Sequence, residues 1–274
     1  MNQTDAVVLG DNNGERMVPE LTPAETFWEH VYRYAFASQY VGGKRILDIA
    51  CGEGYGSAAL MRSGAREVIG VDISADACAH AKKKYGIDAR QGSGEQIPLE
   101  ERSVDVIVSF ETIEHVPDPY RFLDECARVL VPGGVLVIST PNKGIYLSNL
   151  APNPHHCSEM TQEEFSSALR ERFRGIEFYT QRPRSAGWWS VRTLASDVPP
   201  WMRLRPLYLM HRFFRLILVP ETLGEPTPKQ RTAITDVILR TSRGPRSLLN
   251  PYVVRRQRNW TAEKPAYVIA TAVR

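Results

Sequence analysis

Apolar positions along this chain fall into two alternating rhythms. Short, β-branched runs come first, as in Ile46–Ile49, Val68–Val71, Val104–Phe110 and Val135–Thr140. Between them lie stretches where apolar residues recur every three or four positions. The runs predict strands buried on both faces of a sheet, and the intervening stretches predict amphipathic helices. Arg45–Ile49, Glu67–Asp72, Ile87–Gln91, Ser103–Phe110 and Val135–Thr140 are read as five successive strands. Ile176–Thr180 is a sixth and Ala266–Val273 a last, seven in all. The alternation of strand and helix over about 100 residues predicts an α/β fold with a doubly wound sheet.

Helices are predicted after each of the early strands. One starts at Ser57, one runs through Lys84, and one spans Asp118–Leu130 with Phe122, Leu123, Cys126, Val129 and Leu130 inward. Thr161 opens another, to about Phe173, with Glu164 spaced for a reciprocal capping box. Ahead of the first strand, Pro23–Tyr40 carries Phe27, Val31, Tyr34 and Ala35 on one helical face, and Gly42-Gly43 ends it. Residues 1–23 read as a loose arm rich in Asn, Asp, Gly and Pro.

Composition narrows the setting. With 274 residues and 43% hydrophobic, the chain suits one soluble domain with a sizeable core. It has no apolar run of the roughly 20 residues a membrane helix needs. Met1–Gly14 lacks a signal-peptide core. Cys51, Cys78, Cys126 and Cys157 form no C-x-x-C pair, so a reduced cytoplasmic setting without structural zinc is expected.

The net charge of +3 hides an asymmetry: residues 182–258 hold fifteen Lys and Arg against four Asp and Glu. Trp188-Trp189, Trp201 and the run Met202–Leu218 lie in the same segment. It is read as a basic helical insertion before the last strand. Aromatics among arginines suit an anionic acceptor such as a nucleotide sugar, or a lipid-linked glycan met at a membrane face. Nucleic acid also fits the charge. Amphipathic helices with solvated arginines fit it equally.

Candidate chemistry centres on Arg45-Ile46-Leu47-Asp48-Ile49-Ala50-Cys51-Gly52-Glu53-Gly54-Tyr55-Gly56. It reads as a buried strand, a glycine turn and a helix start, the arrangement that brings backbone N–H groups to a ligand. Gly52 and Gly54 allow close approach, and Asp48 ends the strand. The spacing departs from the dinucleotide fingerprint G-x-G-x-x-G, which disfavours a nicotinamide-dependent oxidoreductase. The run resembles the first motif of the class I S-adenosylmethionine-dependent methyltransferases, an acid followed by glycine-x-glycine. Ala50 stands where that family often has glycine. The stretch Phe110-Glu111-Thr112-Ile113-Glu114-His115-Val116-Pro117 resembles the corresponding segment of the small-molecule group that includes ubiquinone-pathway and sugar methyltransferases. Gly14–Pro19 and Glu29–Tyr34 resemble segments preceding the cofactor motif in a glycan and natural-product group.

The resemblance implies a Rossmann-like seven-stranded sheet and S-adenosyl-L-methionine as cofactor. It implies cofactor contacts at Asp48, Ala50, Gly52 and Gly54, with Phe110 and Glu111 beside the methionine part. Asp72, about 20 residues past the glycines, is placed to accept from both ribose hydroxyls, or else caps the next helix together with Ser74. Ile73 offers an apolar wall to the adenine. Ser93-Gly94 stands where the family often has Asp-Ala, so an uncharged hydroxyl replaces the usual acid. Arg33 and Tyr34 are helix-packing residues or parts of a lid.

For catalysis the candidates are His155 and His156, in a loop leaving the carboxyl end of the fifth strand, and His115. A neutral imidazole can take the proton of an attacking hydroxyl. The histidine pair is equally a surface feature held by Glu159. No further ligand lies at metal-site spacing in the sequence, so no metal is expected.

The chain is thus expected to divide into an arm and lid helix (1–43), a cofactor-binding core (44–181), the basic insertion (182–262) and a final strand (263–274). The reading is O-methylation of a sugar, glycan or natural-product glycoside. N-methylation of an amino sugar, RNA methylation and a non-catalytic cofactor-binding subunit are the alternatives.

Overall fold

The computed structural model of the chain describes residues 24–143, 153–183, 254–256 and 265–274. The N-terminal arm, the first part of the loop after the fifth strand, and the basic insertion apart from its ends lie outside the described residues. The elements are α1 (Ala24–Ala37, continued by a 3-10 turn Ser38–Tyr40), β1 (Arg45–Ile49), α2 (Tyr55–Arg62), β2 (Glu67–Asp72), α3 (Ala75–Tyr85), β3 (Asp88–Gln91), β4 (Val104–Phe110), α4 (Pro119–Val129), β5 (Leu130–Pro141), α5 (Gln162–Arg170), β6 (Arg174–Pro183), β7 (Arg255–Arg256) and β8 (Pro265–Val273). A second 3-10 turn, Ile113–His115, follows β4.

One sheet runs in the order β3-β2-β1-β4-β5-β8-β6-β7. The first five strands are parallel. β8 is antiparallel to both β5 and β6. The sheet is therefore mixed. Seven strands form its body, and β7 is a two-residue edge on β6. An apolar run carries no record of strand direction; the return of the chain beside β6 decides it. Pro132-Gly133-Gly134, which composition marks as a turn, lies within β5 instead, at a register irregularity against β4.

Period-two alternation assigns each strand residue to a face. Ile46, Val106, Val108, Val137 and Ile269 pack with α1 and α2. Leu47, Ile107, Leu136, Ile138 and Val268 pack with α4 and α5. Ala58, Cys78, Ala81 and Ala89 join α3 to α2 and β3. The helices cap as expected. Thr161 and Glu164 form the reciprocal box, and the Ser74 hydroxyl accepts from the Ala77 N–H. Among the described residues no helix is long and apolar enough to cross a membrane.

Alternation also decides where Asp48 points. It shares the α1/α2 face with Ile46, so its carboxyl lies beneath the helices and is fully buried. The Ser57 hydroxyl of α2 donates to Oδ2 at 2.6 Å, and the Tyr34 hydroxyl of α1 donates to Oδ1 at 3.1 Å. Asp48 thus ties two helices to the central strand. It does not line the cavity described below, which corrects the expectation that it touches a ligand. Burial pushes its pKa up to about 7 from an ordinary 3.8, against the two donated hydrogen bonds.

A group that holds its proton more tightly folded than unfolded stabilises the fold at low pH. Here the contribution is complete below about pH 4 and is lost as pH rises to about 7. Asp48→Asn cannot ionise. Its melting temperature is expected to fall less than the parent's between pH 5 and 8, so the difference between the two grows more favourable to the variant. Parallel melting profiles would show that this carboxyl does not ionise in that range.

Candidate active site

A cavity of about 740 Å³ opens across the carboxyl ends of the parallel strands. Its walls come from the tips of β2, β1, β4 and β5, from α1, and from the loops after β3 and before α5. This is where an open α/β sheet binds ligands, because the strand order reverses direction there.

The glycine corner forms one side. Ala50 has a φ of +57°, a left-handed conformation that is unfavourable for a residue with a Cβ. That strain explains why glycine suits this position. The Gly52 N–H donates to Asp72 Oδ2 at 2.8 Å, and the Ser74 N–H donates to Oδ1 at 2.9 Å. Ala50, Gly52, Asp72 and Ile73 all line the cavity, and Ile73 is 77% exposed. Two backbone donors orient the Asp72 carboxylate, and each oxygen keeps a further lone pair.

Gly54 and Gly56 serve packing instead of ligand approach. Gly54 has a φ of +82°, and a Cβ there would lie 2.5 Å from the Ala81 Cβ of α3. It does not line the cavity. A Cβ on Gly56 would lie 2.0 Å from the Tyr34 ring, which crosses the start of α2 to reach Asp48.

Ser93, Gly94, Phe110 and Glu111 also line the cavity. The Ser93 hydroxyl accepts from the Glu95 N–H at 3.1 Å. Gly94 also leaves room for the Phe122 ring, 2.7 Å from where its Cβ would stand. Phe110 meets the Tyr34 ring edge-on at 5.1 Å between centroids. Glu111 has a φ of +51°, and its Oε1 accepts from the Ser139 hydroxyl at 2.6 Å. Backbone strain therefore sits at the tips of both β1 and β4.

Arg33 of α1 reaches the same cavity with a side chain only 1% exposed. Its Nε donates to Gln181 Oε1 of β6 at 2.8 Å, and its guanidinium lies 4.4 Å above the Tyr267 ring. Nη1 is 3.3 Å from Glu111 Oε1, yet neither Nη1 nor Nη2 has a hydrogen-bond partner among the described residues. Burial opposes its charge, and Glu111, Tyr267 and Glu29 outweigh that. His30, one turn earlier, also lines the cavity. Burial, then the Arg33 charge, pull its pKa down to about 3 and keep it neutral, with Nδ1 3.1 Å from the Tyr55 hydroxyl.

The three candidate histidines part company. His115 and His156 line the cavity, with ring centroids 4.7 Å apart. The His155 side chain is exposed and does not line it, which corrects its candidacy. His155 contributes its backbone carbonyl, which accepts from His115 Nδ1 at 3.1 Å. His156 Nδ1 donates to Glu159 Oε1 at 2.6 Å, so the helix-side acid holds the ring inward. Sequence reasoning passed over Glu114. It is fully buried, lines the cavity, and has Oε2 bonded by the Thr140 hydroxyl at 3.2 Å. Burial, then Glu111, hold its carboxyl well above the usual range. A second acid three residues after Glu111, directly before His115, was its one signal in the sequence.

With this geometry in view, the relatives are informative. Residues 47–138 match a family model described as a methyltransferase domain. A probable S-adenosylmethionine-dependent methyltransferase of Mycolicibacterium smegmatis is 39% identical over 161 residues, covering 57% of this chain and 62% of that protein. Over residues 47–138 the chain is therefore similar to S-adenosylmethionine-dependent methyltransferases. A ubiquinone biosynthesis O-methyltransferase of Nitrobacter winogradskyi is 42% identical over 116 residues, covering 40% of this chain and 44% of that protein. The chain thus spans between 44% and 62% of the length of these relatives. The fold is shared with a crystal structure from Thermotoga maritima of a methyltransferase described as a possible histamine N-methyltransferase. The TM-score is 0.55 at 18% identity, covering 91% of this chain and 93% of the other. A [4+2]-cyclase, SpnF, shares it with a TM-score of 0.52 at 18% identity, covering 90% and 80%. This methyltransferase fold therefore does not by itself specify a reaction.

The glycine roles can be separated by denaturation. Gly56→Ala is expected to cost about 1–3 kcal/mol through overpacking against Tyr34. Gly54→Ala should cost at least as much, because left-handed strain adds to its clash. Gly42→Ala, with nothing within 4 Å of the new Cβ, should be close to neutral. Equal denaturant midpoints for all three would refute this division.

Proposed function

We propose that the chain transfers a methyl group from S-adenosylmethionine to an oxygen of a sugar, glycan or natural-product glycoside. The observation that carries the reading is a buried guanidinium, with two nitrogens lacking hydrogen-bond partners among the described residues, and an oriented carboxylate facing one cavity. Bound S-adenosylmethionine would supply a methyl carbon made electrophilic by its sulfonium.

The residues present suit its parts. Arg33 Nη1 and Nη2 offer a fork for the carboxylate of the amino-acid end, and Glu111 beside it suits the ammonium. Asp72 accepts from the ribose hydroxyls. Ile73 walls the adenine, with Ser93 and Gly94 below it. Ala50 and Gly52 keep backbone at the turn close, while Asp48 and Gly54 act from behind by holding α1, α2 and α3 in place.

The acceptor hydroxyl belongs against His115 and His156, on the β4–β5 side of the cavity. The Nδ1–H of each ring is engaged, so the lone pair of each neutral ring sits on Nε2. An alcohol needs help to lose its proton, and these nitrogens supply it by taking the proton or by holding a cation that makes the hydroxyl acidic. Positioning contributes much of the remaining rate. The division into lid (1–43), core (44–181), insertion (182–262) and final strand (263–274) belongs to this reading, with the basic insertion contributing to acceptor binding. The O-methyltransferase relative supports oxygen as the methylated atom.

Calorimetry with S-adenosylhomocysteine tests the cofactor half. Asp72→Ala is expected to weaken binding roughly 10- to 100-fold, the loss of charge-assisted hydrogen bonds. Unchanged affinity would remove its role. His156→Ala should lower turnover about 10²-fold or more while leaving that affinity alone. A fully active variant would end the histidine's part, and mass spectrometry of labelled product identifies the methylated atom.

A further inference from the structure

We infer that Glu114, His115 and His156 form a binding site for a first-row divalent cation, zinc being the best match. The inference rests on the methyl-transfer reading for its purpose, though not for its geometry. One donor atom from each residue lies within 4.8 Å of the other two. Zinc bonds to imidazole nitrogen and carboxylate oxygen at about 2.0–2.2 Å, so an ion among these donors draws each inward by less than about 1 Å.

Two observations point to a ligand there, and a third shows that the donors are held in place. First, Glu114 Oε1 is buried on the cavity wall with no hydrogen-bond partner among the described residues, although Oε2 is satisfied by Thr140. A buried carboxylate oxygen left so is costly unless something answers it. Second, both imidazoles are held by the nitrogen that would not bind metal. His115 Nδ1 is bonded to the His155 carbonyl and His156 Nδ1 to the Glu159 carboxylate. A carbonyl or carboxylate behind a histidine fixes the tautomer that ligates through Nε2, the usual outer shell of a metal histidine. Third, the two segments are joined rigidly although 42 positions separate Glu114 from His156. The Cys157 and Ser158 N–H groups both donate to the Glu114 carbonyl, at 2.9 and 3.0 Å, and the Ser158 hydroxyl donates to the Ile113 carbonyl at 2.7 Å. The donors are therefore set on a braced scaffold.

Sequence spacing pointed away from a metal because no ligand stood at helical or loop distance from the histidine pair. The missing ligand comes from the far side of β5. Two histidines and one carboxylate from the protein leave at least one coordination position open to the cavity. An acceptor hydroxyl entering that position becomes more acidic, and its proton goes to water. Its oxygen then bonds to the methyl carbon as the carbon–sulfur bond breaks and the electron pair returns to sulfur. His156 is a ligand in this scheme and takes no proton itself.

Cobalt(II) is the probe. The full chain, stripped with chelator, is titrated with cobalt(II) and followed by visible absorption. Metal-edge X-ray absorption on the unmodified protein then reports the donor set. The expected result is one cobalt per chain, displaced by zinc, with two imidazoles and an oxygen donor. Glu114→Gln and His156→Asn should each weaken cobalt at least tenfold. His155→Ala should leave it unchanged, since only its backbone carbonyl takes part. Absence of stoichiometric binding to the unmodified chain, a donor set without two imidazoles, or folded variants that bind as well as the parent would overturn the site. S-adenosylhomocysteine affinity, measured on the same samples, separates the two readings. If the unmodified chain binds the nucleoside but no metal, only this inference ends; if it binds metal but no nucleoside, only the methyl-transfer reading ends.

Discussion

Tyr34 reaches Asp48 by laying its ring across the first turn of α2, at the one residue there that has no side chain. That contact holds much of the remaining site together. Through it α1 is fixed to the central strand, and the carboxyl it meets also receives the Ser57 hydroxyl of α2. With α1 fixed, Arg33 one residue earlier is carried over the strand tips, and Gln181 of β6 steadies it by bonding its Nε and the Glu29 carbonyl. A polar knot in the middle of an apolar layer is expensive to form with the wrong partners. It therefore specifies the docking of α1 more sharply than the surrounding aromatics do.

The cavity that results is electrically divided. On the β1–β2 side, backbone donors aim the Asp72 carboxylate. Around β4, Arg33 and Glu111 face each other under the Tyr267 ring. Beyond them, on the β5 side, lies the Glu114–His115–His156 group. The positive-φ residues Ala50 and Glu111 stand at the borders between these regions. Strain of this kind persists only when the surroundings hold it, and here the parallel strands on either side do so.

The β5 side of the cavity depends on the loop before α5 in the way the Arg33 side depends on α1. Its backbone is bonded to the 3-10 turn after β4, and Glu159 at its end orients His156. A charged group in a low-dielectric wall is useful only when it is oriented beforehand, since the wall cannot reorganise around developing charge at low cost. Both halves of the cavity follow that rule, with side chains already bonded on the face away from the cavity.

Much of this was open to the sequence alone. The five-fold alternation of strand and helix, the capping box at Thr161, and Asp72, Ile73 and Phe110 at strand ends follow from local periodicity and spacing, which neighbouring residues set between themselves. Three things followed only from the tertiary structure. The direction of β8 depends on where the returning chain finds an edge. Gly54 and Gly56 are required by Ala81 and Tyr34, which lie far away in the chain or on another helix. His156 and not His155 faces the cavity, and Glu114 meets it there, because hydrogen bonds across 42 intervening positions bring the loop onto the turn after β4. Local rules govern which element forms, but which side chains share a cavity is a property of long-range packing, and no stretch of sequence contains both partners.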